Sequence, residues 1–334
     1  MPDSATTTQA FTQAARNALK AFSIDRGELT LFSVSENITF KVIDAKDGSA
    51  YALRLHRPLY HTLEELKSEH LWTRALAAAG VAVAAPVAAR DGADYVEVCI
   101  PGTRESRYAG MVRWVDGDLL EDVLRGQSDA ALVEGYFERL GSIIAAMHNQ
   151  SSGWRPPARF VRPALNEDGL MGDEPFWGRF WEHEILSTAE RGLLLATRQR
   201  VRDALIRYGR HPTIYSMIHS DLHPGNVLLD RQRSIVIDFD DAAFGWHLYD
   251  LAASIFDSEM HATSAAIQRA CIKGYRAVRS ITDEALTLLP MFTLVRGMAL
   301  IGWAHQRPGV TSPGFIKPIK DLVCTRCEEF QPPC

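Results

Sequence analysis

Cysteine is scarce in this chain of 334 residues: five stand at positions 99, 271, 324, 327 and 334. So few thiols in so long a chain exclude a disulfide framework and fit a reducing compartment. Blocks of one charge are also missing. Lys and Arg number 36 against 41 Asp and Glu, for a formal net charge of −5, and the lack of a basic stretch excludes the electrostatic footprint of a nucleic-acid binder. No apolar run reaches the roughly 18 residues that suggest a membrane span. The start, MPDSATTTQA, lacks a basic region followed by an apolar core. A cytoplasmic protein is expected, with neither nucleic acid nor membrane as a partner. Repeats and low-complexity segments are absent too. What is present, 46% hydrophobic and 23% charged residues, suffices for one large domain or two lobes.

The first third is rich in strand signals. LTLF (29–32), ITFKVIDA (38–45) and YALRLH (51–56) carry β-branched and aromatic residues, and DGS turns the chain between the latter two. Leu63, Leu66, Leu71 and Leu76 follow at near-helical spacing, Thr62 and Glu65 can form a capping box, and Gly80 can end the helix. YVEVCI and YAGMVRWV add strands before Asp116-Gly117 breaks the pattern. A five-stranded antiparallel sheet with one helix is expected over 1–115. From Ser128, read as an N-cap, the period becomes helical, with Leu132, Tyr136, Leu140, Ile143 and Met147 in line. A loop over 151–173, a helix closed by Gly209, a strand NVLL, a turn DRQRS and a strand IVIDF come next. Helices then run to about residue 330, one of them bent or divided at Pro290.

The densest chemistry lies in IHSDLHPGNVLLD, residues 218–230, with two histidines, two aspartates and an asparagine around a Pro-Gly turn. A hairpin whose ends meet would bring Asp221, Asn226 and Asp238 of IVIDF together. One carboxylate and one amide suit Mg2+, which takes few protein ligands beside water and phosphate oxygens. A further carboxylate can accept the proton of an attacking hydroxyl. Such a set describes phosphoryl transfer, where protein groups position and neutralise rather than react. Two other readings stay open on the residues alone. One is a metallohydrolase with His219, Asp221 and His223 as ligands, although no other paired histidine spacing completes it. The other is a polar turn between strands, which leaves the set Asp221, Asn226 and Asp238 unexplained.

HSDLHPGNVLLD with IVIDFDDA resembles the catalytic segment of the aminoglycoside phosphotransferase and choline kinase family of protein-kinase-like enzymes, and the order of elements extends the resemblance over most of the chain. It implies an α+β, bilobal protein-kinase-like fold: a small antiparallel β lobe with one helix, nucleotide-binding, over 1–115, and a larger, mainly helical, catalytic and acceptor-binding lobe over 116–334. ATP would bind between them. The resemblance further implies Asp221 as the catalytic base, Asn226 and Asp238 as Mg2+ ligands, His219 as a brace, and Asp250 of YDLA as the support of the loop from the next helix. A simple N-cap is the alternative for Asp250. The family's strand lysine falls on Arg54 of YALRLH, with Glu69 as its helix partner. Arginine keeps charge-assisted bonding to phosphate, but as a planar fork. Similar phosphotransferases of the bacterial homoserine-kinase and stress-response-kinase types also carry R-L-H-R there. A glycine-rich phosphate loop is missing: SVSENITFKV (33–42) offers Ser35 and Asn37, with Ser33 and Glu36, in its place. In MVRWVDG the backbone of Arg113 and Val115 resembles the groups that bond the adenine edge.

RPALNEDGLMGDEPFWGRFWEHEIL concentrates aromatics and acids. Trp177, Phe180 and Trp181 read either as burial under a loop or, with Asp173, Glu174, Glu182 or Glu184, as a pocket for an amine-bearing acceptor. Asp240 reaches metal or acceptor, or is a solvated turn residue. The expected activity moves the γ-phosphoryl group of ATP to a hydroxyl of a small molecule of aminoglycoside, choline, homoserine or hydroxylysine type. A stress-response-type protein Ser/Thr kinase and a nucleotide-binding pseudokinase are the alternatives, the latter disfavoured because all three central residues are present. Cys324, Cys327 and Cys334 fall short of a closed four-ligand zinc site, with His305 well before them, and read as tail thiols.

Overall fold

The structure, a computed structural model, describes residues 4–24, 26–34, 37–231, 233–308 and 312–331. The chain forms two compact units. The first comprises Met1–Leu120, Pro156–Val161 and Val227–Asp240, and the second Glu121–Arg155, Arg162–Asn226 and Asp241–Cys334.

Alternation builds the sheet of the first unit. Gly27–Val34, Ile38–Asp44, Ala50–Leu55, Ser106–Arg113 and Pro86–Val87 lie in that order, all antiparallel, and Tyr95–Cys99 also pairs with Ser106–Arg113. Ile38, Phe40 and Val42 point to one face and meet Leu53, Leu55 and Met111 in the core. Two elements differ from the expected set: the two-residue strand Pro86–Val87 and the helix Ser4–Ala21. That helix buries Ala14, Ala15, Ala18 and Leu19 against the sheet. Its stripe is mostly alanine, which is weakly apolar and gives little periodic signal. Helix Leu63–Ala78 begins as expected. Thr62 Oγ1 accepts from the Glu65 N–H at 3.2 Å and the Glu65 carboxylate accepts from the Thr62 N–H at 2.7 Å, a capping box worth about 1 kcal/mol.

The hairpin Val227–Asp230 with Arg233–Val236 belongs to this unit as well. Leu228 and Leu229 pair with Leu119 and Asp118, and the Val236 N–H donates to the Ala82 carbonyl at 2.9 Å. Just beyond, Phe239 meets the buried Trp72 edge-on at 5.6 Å.

The second unit contains the helices Ala130–Gly153, Thr188–Tyr208, His247–Ile255, Ser264–Val278, Leu289–His305 and Pro313–Glu329 and a small sheet of Ala164–Leu165, Ala243–Trp246 and Tyr215–Ile218. Asp129 rather than Ser128 caps Ala130–Gly153, because its carboxylate reaches two orphan donors, the N–H groups of Ala131 and Leu132. Pro290 stands in the first turn of Leu289–His305, where a missing N–H costs nothing, and the helical stretch is divided just before it, where the short helix Asp283–Leu286 ends. The segment 151–173 contains the strand Ala164–Leu165 and the helix Glu167–Met171. Asp283–His305 is long and apolar enough to cross a membrane, at a mean hydropathy of 1.6, yet 67% of its apolar window is buried inside the protein. Burial of that extent is what a core helix shows.

Ala130–Gly153 and Ser264–Val278 approach so closely that a Cβ on Gly274 would stand 1.7 Å from the Glu138 carbonyl oxygen, and one on Gly141 1.9 Å from that of Cys271. Gly274→Ala should therefore force two backbones apart and cost about 3 kcal/mol, seen as a fall of several degrees in thermal midpoint. An unchanged midpoint would mean that the helices part without cost.

Candidate active site

The loop after Tyr215–Ile218 is fixed from beneath. Asp250, fully buried, accepts the N–H of His219 at 3.0 Å and of Ser220 at 2.6 Å, and its other contact is His148 Nε2 at 3.1 Å. It is no N-cap: Trp246 holds that position and Asp250 lies inside the first turn of His247–Ile255. Burial pushes its carboxyl up to about 6, against the opposing pull of His219, the two N–H bonds and Arg296. His148 stacks on His247 with ring centroids 4.1 Å apart, and burial holds both well below the ordinary histidine range, so both are neutral at pH 7. Ser220 sits at φ 67°, a left-handed backbone that costs a non-glycine residue energy. The bonds to Asp250, with that from Ser220 Oγ to the Asp241 carbonyl at 2.6 Å, hold this pinch in place.

Asp221 emerges from the pinch. Its Oδ1 is ion-paired with Arg296 Nη2. Its Oδ2 accepts from Asn226 Nδ2 at 3.2 Å, a group that also donates to the Asp221 carbonyl at 2.8 Å, and His223 Nε2 stands 3.8 Å from Oδ2. Burial raises the carboxyl, but the charges of Arg296, His223 and His219 outweigh it and hold Asp221 below the usual carboxylate range. It is ionised at neutral pH. With its Nδ2 committed to Asp221, Asn226 has its amide oxygen as the group that can accept a bond or face a cation. His219 turns its ring back onto the loop, Nδ1 accepting from the Asp221 N–H at 3.4 Å.

Sequence reasoning missed Arg296. A single arginine inside the otherwise apolar run LVRGMAL was the available signal, since a buried guanidinium requires a partner.

In the first unit Arg54 does not pair with Glu69. Its Nη1 meets Asp238 Oδ1 at 2.8 Å, while Glu69 Oε2 is buried without a hydrogen bond. Burial opposes the Arg54 charge, but Asp238, Asp240 and Glu69 together outweigh it and hold the guanidinium above its ordinary value. Three carboxylates compete for one fork, and Asp238 takes it. Asp238 itself has φ 64°, a second strained non-glycine residue.

Asp240 is no solvated turn residue. Asn37 Nδ2 donates to its Oδ2 at 3.2 Å, and His56 Nδ1 and His61 Nε2 stand 3.6 Å and 3.9 Å from its Oδ1. Burial would raise this carboxyl, yet His56, Arg54 and His61 hold it far below the usual range. Asn37 also accepts the Arg57 N–H at 2.9 Å, so both ends of its amide are engaged. Ser35 and Glu36 lie outside the described residues. The Arg113 N–H is committed to the Ala85 carbonyl at 2.8 Å, and half-buried Val115 follows the end of that strand.

The aromatic cluster is burial, not an open cage. Trp177, Phe180 and Trp181 are 4%, 1% and 9% exposed. Trp177 stacks on Tyr249 at 5.8 Å, and Arg198 lies over the Trp181 ring at 4.4 Å. Asp173 is paired with Arg198, and Glu174 and Glu182 with Arg179, so those acids are already answered. Trp177 Nε1 donates to Asp241 Oδ2 at 3.2 Å, which leads back to the loop. On Pro313–Glu329, burial pushes the thiols of Cys324 and Cys327 up to about 11 and 12, the range of inert structural cysteines; Cys334 lies outside the described residues.

The sequence pattern of the APH phosphotransferase enzyme family matches residues 28–285. Homoserine kinase of Neisseria meningitidis serogroup B is 31% identical over 280 residues, covering 79% of this chain and 82% of its own. Amicoumacin kinase of Bacillus subtilis is 22% identical over 305 residues, covering 88% and 84%. The solved structure of a microcompartment-associated aminopropanol kinase superposes with a TM-score of 0.80 at 29% identity, covering 95% of each chain. The fold is α+β and kinase-like, and the chain belongs to the phosphotransferase enzyme family as an ATP-dependent phosphotransferase that acts on a hydroxyl.

Proposed function

We propose that this enzyme moves the γ-phosphoryl group of ATP to the hydroxyl of an amine-bearing small molecule, with Asp221 receiving the hydroxyl proton. The observation that carries the reading is the Asp221 carboxylate, ionised and held on both oxygens by Arg296 and Asn226. A placed carboxylate of this kind contributes roughly 10²- to 10⁴-fold to rate. The nucleotide-binding lobe comprises 1–115 together with the segments of 116–334 that pack in the same unit, 116–120, 156–161 and 227–240, and the rest of 116–334 forms the catalytic and acceptor lobe, in the cytoplasm, without nucleic-acid or membrane partners.

Asn226 and Asp238 would hold Mg2+. The fit is chemical: a carboxylate and an amide oxygen are hard donors, and the pairing of Val227 with Val236 lets the chain enter the hairpin from Asn226 and leave toward Asp238 at the same end. Bound there, the metal supplies charge neutralisation at the phosphate oxygens. Asp238 already attracts a cation, the Arg54 guanidinium, and a guanidinium that bonds a carboxylate fork also suits a phosphate. His219 and Asp250 keep the loop in place.

The relatives' names support the acceptor class: homoserine and aminopropanol both carry an amine beside the hydroxyl. Asp240, with Trp177 and Trp181, is the candidate set on the acceptor side, and Trp177 Nε1 donates to the neighbouring Asp241 carboxylate. ATP consumption measured with 1-amino-2-propanol, L-homoserine and ethanolamine, against 1,2-propanediol and a generic protein, tests this. An advantage in kcat/KM of roughly tenfold or more for an amine-bearing alcohol, about 1.4 kcal/mol, is expected. Equal rates with 1,2-propanediol, or transfer to the protein alone, would overturn it.

A further inference from the structure

We infer that Arg296 is a positioning residue for phosphoryl transfer, holding the Asp221 carboxylate in the orientation that receives the acceptor's proton; this rests on the reading of Asp221 as that proton acceptor. Arg296 is 7% exposed within Leu289–His305, a helix whose neighbouring positions Leu294, Val295, Met298 and Ile301 are all buried. A guanidinium there carries a desolvation penalty that an apolar side chain of similar length would not. An arginine retained to stabilise the fold would be expected to spend its donors widely. Here Nη2 meets Asp221 Oδ1, while Nε is buried without a hydrogen bond. The Tyr249 hydroxyl is buried beside the guanidinium. A buried Nε left unmet works against stability, so the placement is explained by what the guanidinium does to Asp221.

What it does is geometric. Asn226 and His223 both engage Oδ2. Arg296 is the group that fixes Oδ1, and together the two sides stop rotation of the carboxylate about its broad terminal torsion. Tyr249, beside the guanidinium, is itself held in a stack on Trp177. Without Arg296 the carboxylate would turn about the Asn226 bond, and a misplacement of about 1 Å at a reacting group costs on the order of 10²-fold.

The test uses whichever of L-homoserine, 1-amino-2-propanol and ethanolamine the wild type phosphorylates. In Arg296→Met, kcat should fall roughly 30- to 100-fold, with KM for ATP within about threefold of wild type. Guanidinium ion, added below denaturing concentrations, should restore part of that kcat saturably, and Arg296→Lys should lie between the two. Wild-type kcat in Arg296→Met would overturn the inference. So would a loss that tracks a lowered thermal midpoint in both variants and does not respond to guanidinium. Asp221→Asn separates the underlying reading: if that variant turns over normally, the proton-acceptor role itself falls, whereas an inactive Asp221→Asn beside a fully active Arg296→Met removes Arg296 alone.

Discussion

Asp221→Asn should lower phosphoryl transfer by roughly 10²- to 10⁴-fold while nucleotide affinity stays within a few-fold of wild type. The amide has nearly the shape of the carboxylate and can still accept from Asn226 Nδ2 through its one oxygen, so the loop keeps its path. What it loses is the capacity to take a proton and the charge that answers Arg296. The split matters. A fall in turnover with nucleotide binding retained, measured by initial rates and by titration calorimetry, places the loss in the chemical step. Equal losses in both would point to collapse of the loop instead.

Asp250→Asn is expected to be the second most damaging change, without any contact to a reacting group. Asp250 accepts two backbone N–H groups and faces His148, and the amide would set an NH2 against one of these donors. A buried N–H would lose its acceptor, and Ser220 its restraint at φ 67°. Displacement of Asp221 by about 1 Å would then cost on the order of 10²-fold in turnover. The change also has a pH signature. The folded-state pKa of Asp250 is raised by burial from 3.8 to about 6, so the fold prefers the protonated acid. That contribution is fully present below about 3.8 and is lost as pH rises through about 6. The wild type's stability advantage over Asp250→Asn should therefore be larger at pH 4 than at pH 7, by up to roughly 3 kcal/mol. Denaturant midpoints at the two pH values report it, and a difference that does not change with pH contradicts the account.

Local chemistry was legible in the sequence and tertiary pairing was not. Thr62 with Glu65, and Gly209 at the end of Thr188–Tyr208, act within a few residues, so their signals survive without the fold. The helix Ser4–Ala21 escaped because an alanine stripe is barely apolar, although small side chains are what let it lie close on the sheet. Arg54 had Glu69 as an obvious partner, yet which of three carboxylates receives a guanidinium is decided by placement in space. The same holds for Asp240 with Asn37, and for Arg296, 75 residues from Asp221. Trp177 and Trp181 show the limit from the other side, since composition cannot tell an aromatic cage from an aromatic plug.

Phosphorus NMR of the 334-residue protein with Mg-ATP and 1-amino-2-propanol, L-homoserine or ethanolamine tests the central claim most directly. The account predicts a new phosphomonoester resonance that grows in step with ADP for at least one of these alcohols, and its absence with Asp221→Asn. Formation of ADP and inorganic phosphate with no ester from the wild type, or the same ester from Asp221→Asn at an undiminished rate, would contradict it.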